Sequence, residues 1–251
     1  MEGLKIKVGI ITDIHSNVQA LGAVLKEFDR IEVEKIICCG DIIGIGPNPE
    51  ETVQMLMKRK HSLIAVRGNH EKYLIEGLPR EVHEDKRKMS SEEIKNHEWN
   101  HNKLSEESKN FIIELPKTRS FEIENKKIYV VHYPYDEIGN YKKIIKRPTI
   151  GENQEMFKEI DADIFLYGHT HTISINSNDD KWYINTGAVG CIIDNYMANA
   201  GILSINNGKV DFQCLNIKYD INKTIEEINK IKFPMYKKIL KIFYRRDIEE
   251  K

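Results

Sequence analysis

Asp13, His15, Asp41, Asn69, His132, His169 and His171 bring two carboxylates, one amide oxygen and four imidazoles to a single chain. That mixture suits borderline divalent ions such as Mn²⁺, Zn²⁺ or Fe. A pair of such ions can polarise an oxyanion and acidify a water molecule. Any one of these residues alone would read as a turn former or a helix cap. Here they come in clusters, each at the end of a short apolar run: Asp13/His15, Asp41, Asn69/His70, His132 and His169/His171. Five of the nine histidines lie in these clusters. The other four, His61, His83, His97 and His101, read as surface residues.

The elements that must position these groups follow from hydrophobic patterning. Ile6 to Ile11 is a β-branched run, too short for a buried helix, and reads as a strand. Ser16 with Gln19 three residues on fits a capping box, and Val18, Leu21, Leu25 and Phe28 then recur at helical spacing. Ile36 to Cys39 repeats the pattern, followed by Gly40-Asp41, a Gly/Pro-rich loop, and a helix start at Asn48-Pro49. Ser62 to Val66 is a third strand running into Gly68-Asn69-His70-Glu71. Gly40, Gly68 and Gly168 each precede a candidate ligand, where the backbone must turn sharply. Such strand–loop–helix alternation predicts a layered α/β fold with parallel strands, with function gathered at their carboxyl ends.

The segment at about 72–116 is strongly charged and reads as helical, with helix starts at Ser90/Glu93 and Ser105. Strands resume at Ser120–Glu124, Ile128–His132 and Ile164–Tyr167, then at Trp182–Asn185, Gly201–Ile205 and Val210–Leu215. The last two flank an Asn206-Asn207-Gly208 turn. A helical tail at about 220–248 carries an apolar stripe from Ile221 to Phe243, and its last turns are basic. Such a stripe buries against the domain or a second subunit, which leaves a homo-oligomer open. No internal repeat is visible, so residues 1–251 read as one domain.

Composition narrows the classes. The 251 residues are 40% hydrophobic, enough for a sizeable core. The formal charge of −1 gives no reason to expect an obligate nucleic-acid partner. Four cysteines without a CxxC pair do not make a disulfide framework, and no run approaches a membrane span or a signal peptide. These features predict a cytoplasmic protein.

Asp13-Ile14-His15, Gly40-Asp41-Ile42-Ile43-Gly44, Gly68-Asn69-His70-Glu71, Val131-His132 and Gly168-His169-Thr170-His171 together resemble the signature of calcineurin-like metallophosphoesterases. Asn185-Thr186-Gly187-Ala188-Val189-Gly190 resembles a segment of the short prokaryotic branch, which contains small phosphodiesterases and dinucleoside polyphosphate hydrolases. The resemblance implies a four-layer α/β/β/α sandwich of two mixed sheets flanked by helices. It further implies that Asp13, His15 and His171 hold one ion, Asn69, His132 and His169 a second, and that Asp41 bridges them. Manganese is the first expectation, with Fe, Zn²⁺ or Ni²⁺ as others. A bridging hydroxide would then attack the phosphorus of a small phosphate ester or nucleotide in line.

His70, beside Asn69, is placed to protonate or stabilise the leaving group, and Glu71 to orient its imidazole. Tyr133, where the branch often has glycine, either offers a base-stacking face or packs on its own loop. Two other readings use the same residues. A catalytically silent scaffold would be expected to have lost ligands, yet all seven stand. A nuclease would want a broad basic groove, which the net charge does not suggest.

Overall fold

The computed structural model describes residues 6–79, 81–82, 87–178, 180–191 and 196–245. The elements run in chain order as β1 (Ile6–Ile11), α1 (Val18–Arg30), β2 (Lys35–Cys38), α2 (Pro49–Met57), β3 (Leu63–Ala65) and α3 (Asn69–Glu76). A small hairpin of β4 (Glu81–Val82) and β5 (Arg87–Lys88) precedes α4 (Ser91–Asn102) and α5 (Glu106–Ile113). Then follow β6 (Thr118–Ile123), β7 (Lys126–Val131), α6 (Ile150–Met156), β8 (Ile164–Tyr167) and β9 (Ile173–Ser177). The chain continues through β10 (Trp182–Thr186), β11 (Ala198–Asn206), β12 (Lys209–Ile217), α7 (Ile221–Ile231) and α8 (Tyr236–Tyr244). His83 and residues 246–248 of the anticipated tail lie outside the described residues.

Two mixed five-stranded sheets carry the fold, in the orders β12-β11-β1-β2-β3 and β6-β7-β8-β10-β9. Parallel pairing joins β1, β2 and β3 in one sheet and β7, β8 and β10 in the other, with antiparallel strands at the flanks. The sheets pack face to face through Val8, Ile10, Ile37, Ile128, Ile164, Leu166 and Ile184. Residues of opposite parity turn outward but are also buried. Ile11, Ile36 and Cys38 meet Leu21, Val24 and Phe28 of α1, with Val53 and Leu56 of α2 in the same cluster. On the far side Phe165, Tyr167 and Tyr183 pack with Met156 of α6. This double burial explains why the parallel strands read as continuous apolar runs instead of alternating ones. The architecture is an α/β sandwich of helix, sheet, sheet and helix layers.

The first helix starts one residue later than its Ser16/Gln19 spacing suggests. Asn17 is the cap, its side-chain oxygen accepting from the Ala20 N–H at 3.0 Å. Asn17 outcompetes Ser16 because its amide also donates to the Gly190 carbonyl at 3.1 Å, joining the cap to a loop 173 residues away. No apolar periodicity announced α6 or β9. α6 is set by a Thr149/Glu152 capping box, and β9 is a short edge strand paired only with β10. The tail is two helices, separated where Lys232 and Met235 adopt left-handed backbone conformations around Phe233-Pro234. Its stripe is buried within the same chain: Ile228, Phe233, Ile239, Leu240 and Tyr244 form a fourth cluster, packed with Ile45 and Trp99. Among the described residues, no helix is long and apolar enough to cross a membrane.

Asn17→Ala should remove both the cap and a buried partner of Gly190, costing about 3 kcal/mol. A thermal melt should show the midpoint falling by roughly 6–12 °C, at a few degrees per kcal/mol for a chain of this size. An unchanged midpoint would mean that the loop does not depend on this side chain.

Candidate metal centre

β1, β2 and β3 of one sheet and β7 and β8 of the other end at the same edge of the sandwich. Thr12-Asp13, Gly40-Asp41, Gly68-Asn69, His132 and Gly168-His169 follow those ends. All seven residues singled out by type and spacing meet there. The His15 and His171 Nε2 atoms are 2.9 Å apart and lie 3.8 and 3.4 Å from Asp13 Oδ1. The His132 Nε2 lies 3.1 Å from the His169 Nδ1, which is 3.0 Å from Asn69 Oδ1. Asp41 Oδ2 reaches both groups, at 3.7 Å from His15 and 3.2 Å from His132.

The tautomers are settled by the backbone. A carbonyl only accepts, so His15 donates its Nδ1–H to Ile43 O (3.2 Å) and His132 its Nδ1–H to Cys39 O (2.8 Å). Each ring therefore turns Nε2 toward the carboxylates. Asp13 is fixed from behind by the Thr12 hydroxyl (2.9 Å) and the His169 N–H (3.0 Å). Asn185 clamps the Gly168–His171 loop by donating to the Gly168 carbonyl (2.8 Å) and the Thr170 hydroxyl (3.1 Å).

The backbone at this edge is strained. Asp13, His15, Asp41, His169 and His171 all have positive φ, from 48° to 71°. Left-handed residues other than glycine each cost on the order of 1 kcal/mol or more and persist only where their surroundings hold them. Of the three glycines anticipated as turn formers, only Gly40 needs the conformation itself, at φ 97°. Gly68 is required by space, since a Cβ there would collide with the Asp41 carboxylate.

Asp13, His15, Asp41 and His132 are all at most 2% exposed, so their charges act in a poorly screened site. Burial alone would raise the Asp13 and Asp41 carboxyls. The His171 charge beside Asp13, and those of His132 and His70 beside Asp41, more than reverse this and hold both below the usual range. Burial lowers His15 to about 4. The same burial acts on His132, but the Asp41 charge outweighs it and lifts that imidazole to about 10.

Glu71 does not orient His70. Its fully buried carboxylate accepts four backbone N–H bonds instead, from Asp41 (2.9 Å), Ile42 (2.8 Å), Ile43 (3.0 Å) and Gly68 (2.7 Å). Burial and the neighbouring Asp41 charge push this group up to about 7, against the pull of those donors. His70 sits at the edge of the cluster, its N–H donating to Asp41 Oδ1 at 3.0 Å and its ring 4.9 Å from that of His15. Its Nδ1 is packed against Gly44 and has no hydrogen-bond partner among the described residues. Burial pushes its pKa well down.

Tyr133 packs on its own loop. It is fully buried, its hydroxyl donating to Lys143 O (3.2 Å) and accepting from the Ile145 N–H (3.0 Å), so it offers no stacking face. The aromatic beside the cluster is Tyr141, with its ring 4.9 Å from that of His169 and stacked on Tyr135 at 5.0 Å. Nothing in the spacing of residues 133–149 announced it. His97, read from its spacing as a surface residue, is 8% exposed, and its ring lies 5.1 Å from that of His70. His61 is exposed.

Residues 6–208 match the family model of the calcineurin-like phosphoesterase superfamily domain, and the chain belongs to that superfamily of metal-dependent hydrolases acting on phosphate esters. It is 29% identical over 252 residues to an uncharacterised protein of Methanocaldococcus jannaschii, with 92% of this chain and 95% of that protein covered. Its fold is similar to that of a hypothetical protein from Pyrococcus horikoshii, with a TM-score of 0.79, 16% identity and coverage of 95% of this chain and 97% of the other. It is also similar to that of a metallophosphoesterase from Sphaerobacter thermophilus, with a TM-score of 0.68, 21% identity and coverage of 95% and 98%.

The donor set fits divalent ions. Ligand atoms of Asp41, His132 and His169 lie within 4.8 Å of one another, as do those of His15, Asp41 and His70. A third group joins His15 and His171 to Cys191. Burial pushes the Cys191 thiol well up, which disfavours the thiolate a metal requires.

Glu71→Gln should destabilise the chain by about 3 kcal/mol, because an amide nitrogen would face donors that now share a carboxylate. Chemical denaturation should show a lower midpoint with the slope unchanged. No loss of stability would mean that the two loops hold their shape without this carboxylate.

Proposed function

We propose that residues 1–251 form one hydrolase domain whose edge cluster holds two divalent ions. Asp13, His15 and His171 would hold one, Asn69, His132 and His169 the other, and Asp41 would be shared. The observation that carries this reading is Asp41 Oδ2, which reaches one histidine of each group. Manganese is the first expectation, because oxygen and imidazole donors without thiolate suit it as well as iron, zinc or nickel. Bound ions would supply positive charge to the phosphoryl oxygens of the substrate and acidify a water for attack.

The chain's own residues do the rest. Thr12, Ile43, Cys39 and the His169 N–H fix the ligand orientations, so little reorganisation is needed when a phosphate ester arrives. His70, next to Asn69 and with its backbone N–H held by Asp41, would stabilise the departing oxygen. The substrate class that fits best is a small phosphodiester or nucleotide-type ester.

The test begins with elemental analysis of chain purified with Mn²⁺, followed by assay on an activated phosphodiester. Two ions per chain are expected, with turnover abolished by chelation and restored by Mn²⁺. Asp41→Ala should lower turnover by at least about a hundredfold, as the loss of a shared ligand does. His70→Ala should keep both ions and still turn over about a hundredfold more slowly. If wild type and Asp41→Ala are equally inactive with every metal, the hydrolase reading fails.

A further inference from the structure

A cavity of about 300 Å³ opens beside the cluster, between α3, α4 and α8. Asn69 and His70 line it on the side of the cluster, where the reacting phosphorus of the proposed site would lie. Its walls are Tyr73, Met89, Met235, Ile239, Ile242 and Phe243. The Phe243 ring is 6.2 Å from that of His171, so this wall continues into the ligand cluster.

The cavity is pre-formed. Trp99 of α4 stacks on Phe233 at 4.8 Å, and Asn96 donates to the Pro234 carbonyl at 2.7 Å, joining α4 to the turn before α8. Helix α8 lies beyond residues 6–208, the span matched by the family model, so this wall is added to the family domain by the C-terminal segment.

The lining selects the occupant. Two aromatic rings, two thioethers and two isoleucines make an apolar wall that favours a flat ring over a polyol. Arg87 is turned to Glu93 in a bidentate pair at 2.6 and 2.8 Å, which closes one end with a neutralised charge. Lys238, on the α8 wall, is exposed and has no carboxylate partner among the described residues, so it can face an anionic oxygen. The His97 ring adds a hydrogen-bonding edge within the slot. The volume lies at the lower end of the range for small-ligand pockets, enough for one nucleoside and too small for a polymer strand.

We infer that this cavity receives the nucleoside portion of the substrate, which makes the enzyme selective for nucleotide esters and α8 its specificity element. The inference rests on the phosphoesterase reading above. It is tested with the Mn²⁺-loaded full chain on adenosine 5′-(methyl phosphate) and glycerol methyl phosphate, together with Ile242→Trp and Met89→Trp, which fill the slot without touching the ligand cluster.

Wild type should favour the adenosine ester in kcat/KM by about tenfold or more, within the range a pocket of this kind can discriminate. Both variants should lose that preference while keeping their rate on the glycerol ester. Calorimetry with adenosine on metal-free protein gives an arm that does not depend on turnover. Binding to wild type and weakening by about tenfold in the variants is expected, equal to 1.4 kcal/mol. Equal kcat/KM for the two esters, or adenosine binding unchanged in both variants, overturns the inference. Intact, variant-sensitive adenosine binding with no ester hydrolysed supports the cavity assignment and sinks the hydrolase reading alone.

Discussion

Four peptide N–H groups converge on the Glu71 carboxylate, and the geometry of the cluster depends on that convergence. Gly68 supplies one and Asp41 to Ile43 supply three, so a single side chain joins the loops that follow β2 and β3. These donors lie in irregular backbone that the sheet ladders cannot serve, and burial makes leaving them unpaired costly. By holding them, Glu71 keeps Asp41 left-handed and between two histidine groups. The acid adjoining the candidate ligands therefore shapes the loop and is not available for proton transfer.

A similar division runs through the rest of the edge. Asn185, Thr12 and two main-chain carbonyls fix the positions of Asp13, His15, His132 and the Gly168–His171 loop. Five strained residues stay in place because the sandwich behind them is closely packed on both faces of each sheet. The energy stored in those conformations is supplied by core burial, which keeps two carboxylates and several imidazoles at close quarters.

How legible this was depended on whether a feature is local. Ile6–Ile11 and Ile164–Tyr167 could be read as strands because both their faces are buried and nearly every residue is apolar. The candidate ligands stood out because Asp, Asn and His followed each such run, which propensity alone does not explain. The cap of α1 was placed one residue early because Ser16 and Asn17 are equivalent by spacing. Only the contact with Gly190, far along the chain, separates them. Glu71 was given a role from its neighbour in sequence, whereas its hydrogen bonds are made across loops. His97 looked like surface on a helix of charged residues, and its burial comes from packing against His70 and Tyr73. The slot beside the cluster needs α8, more than 160 residues from Asn69, so no local pattern could have revealed it.

The central claim is that one shared carboxylate and two sets of ligands make a two-ion centre. The most direct measurement is anomalous diffraction at the manganese edge from a crystal of the full chain grown with Mn²⁺. The account predicts two peaks roughly 3.5–4 Å apart, as in two-metal hydrolytic sites, with Asp41 touching both. A single peak, or peaks away from Asp41, would contradict it.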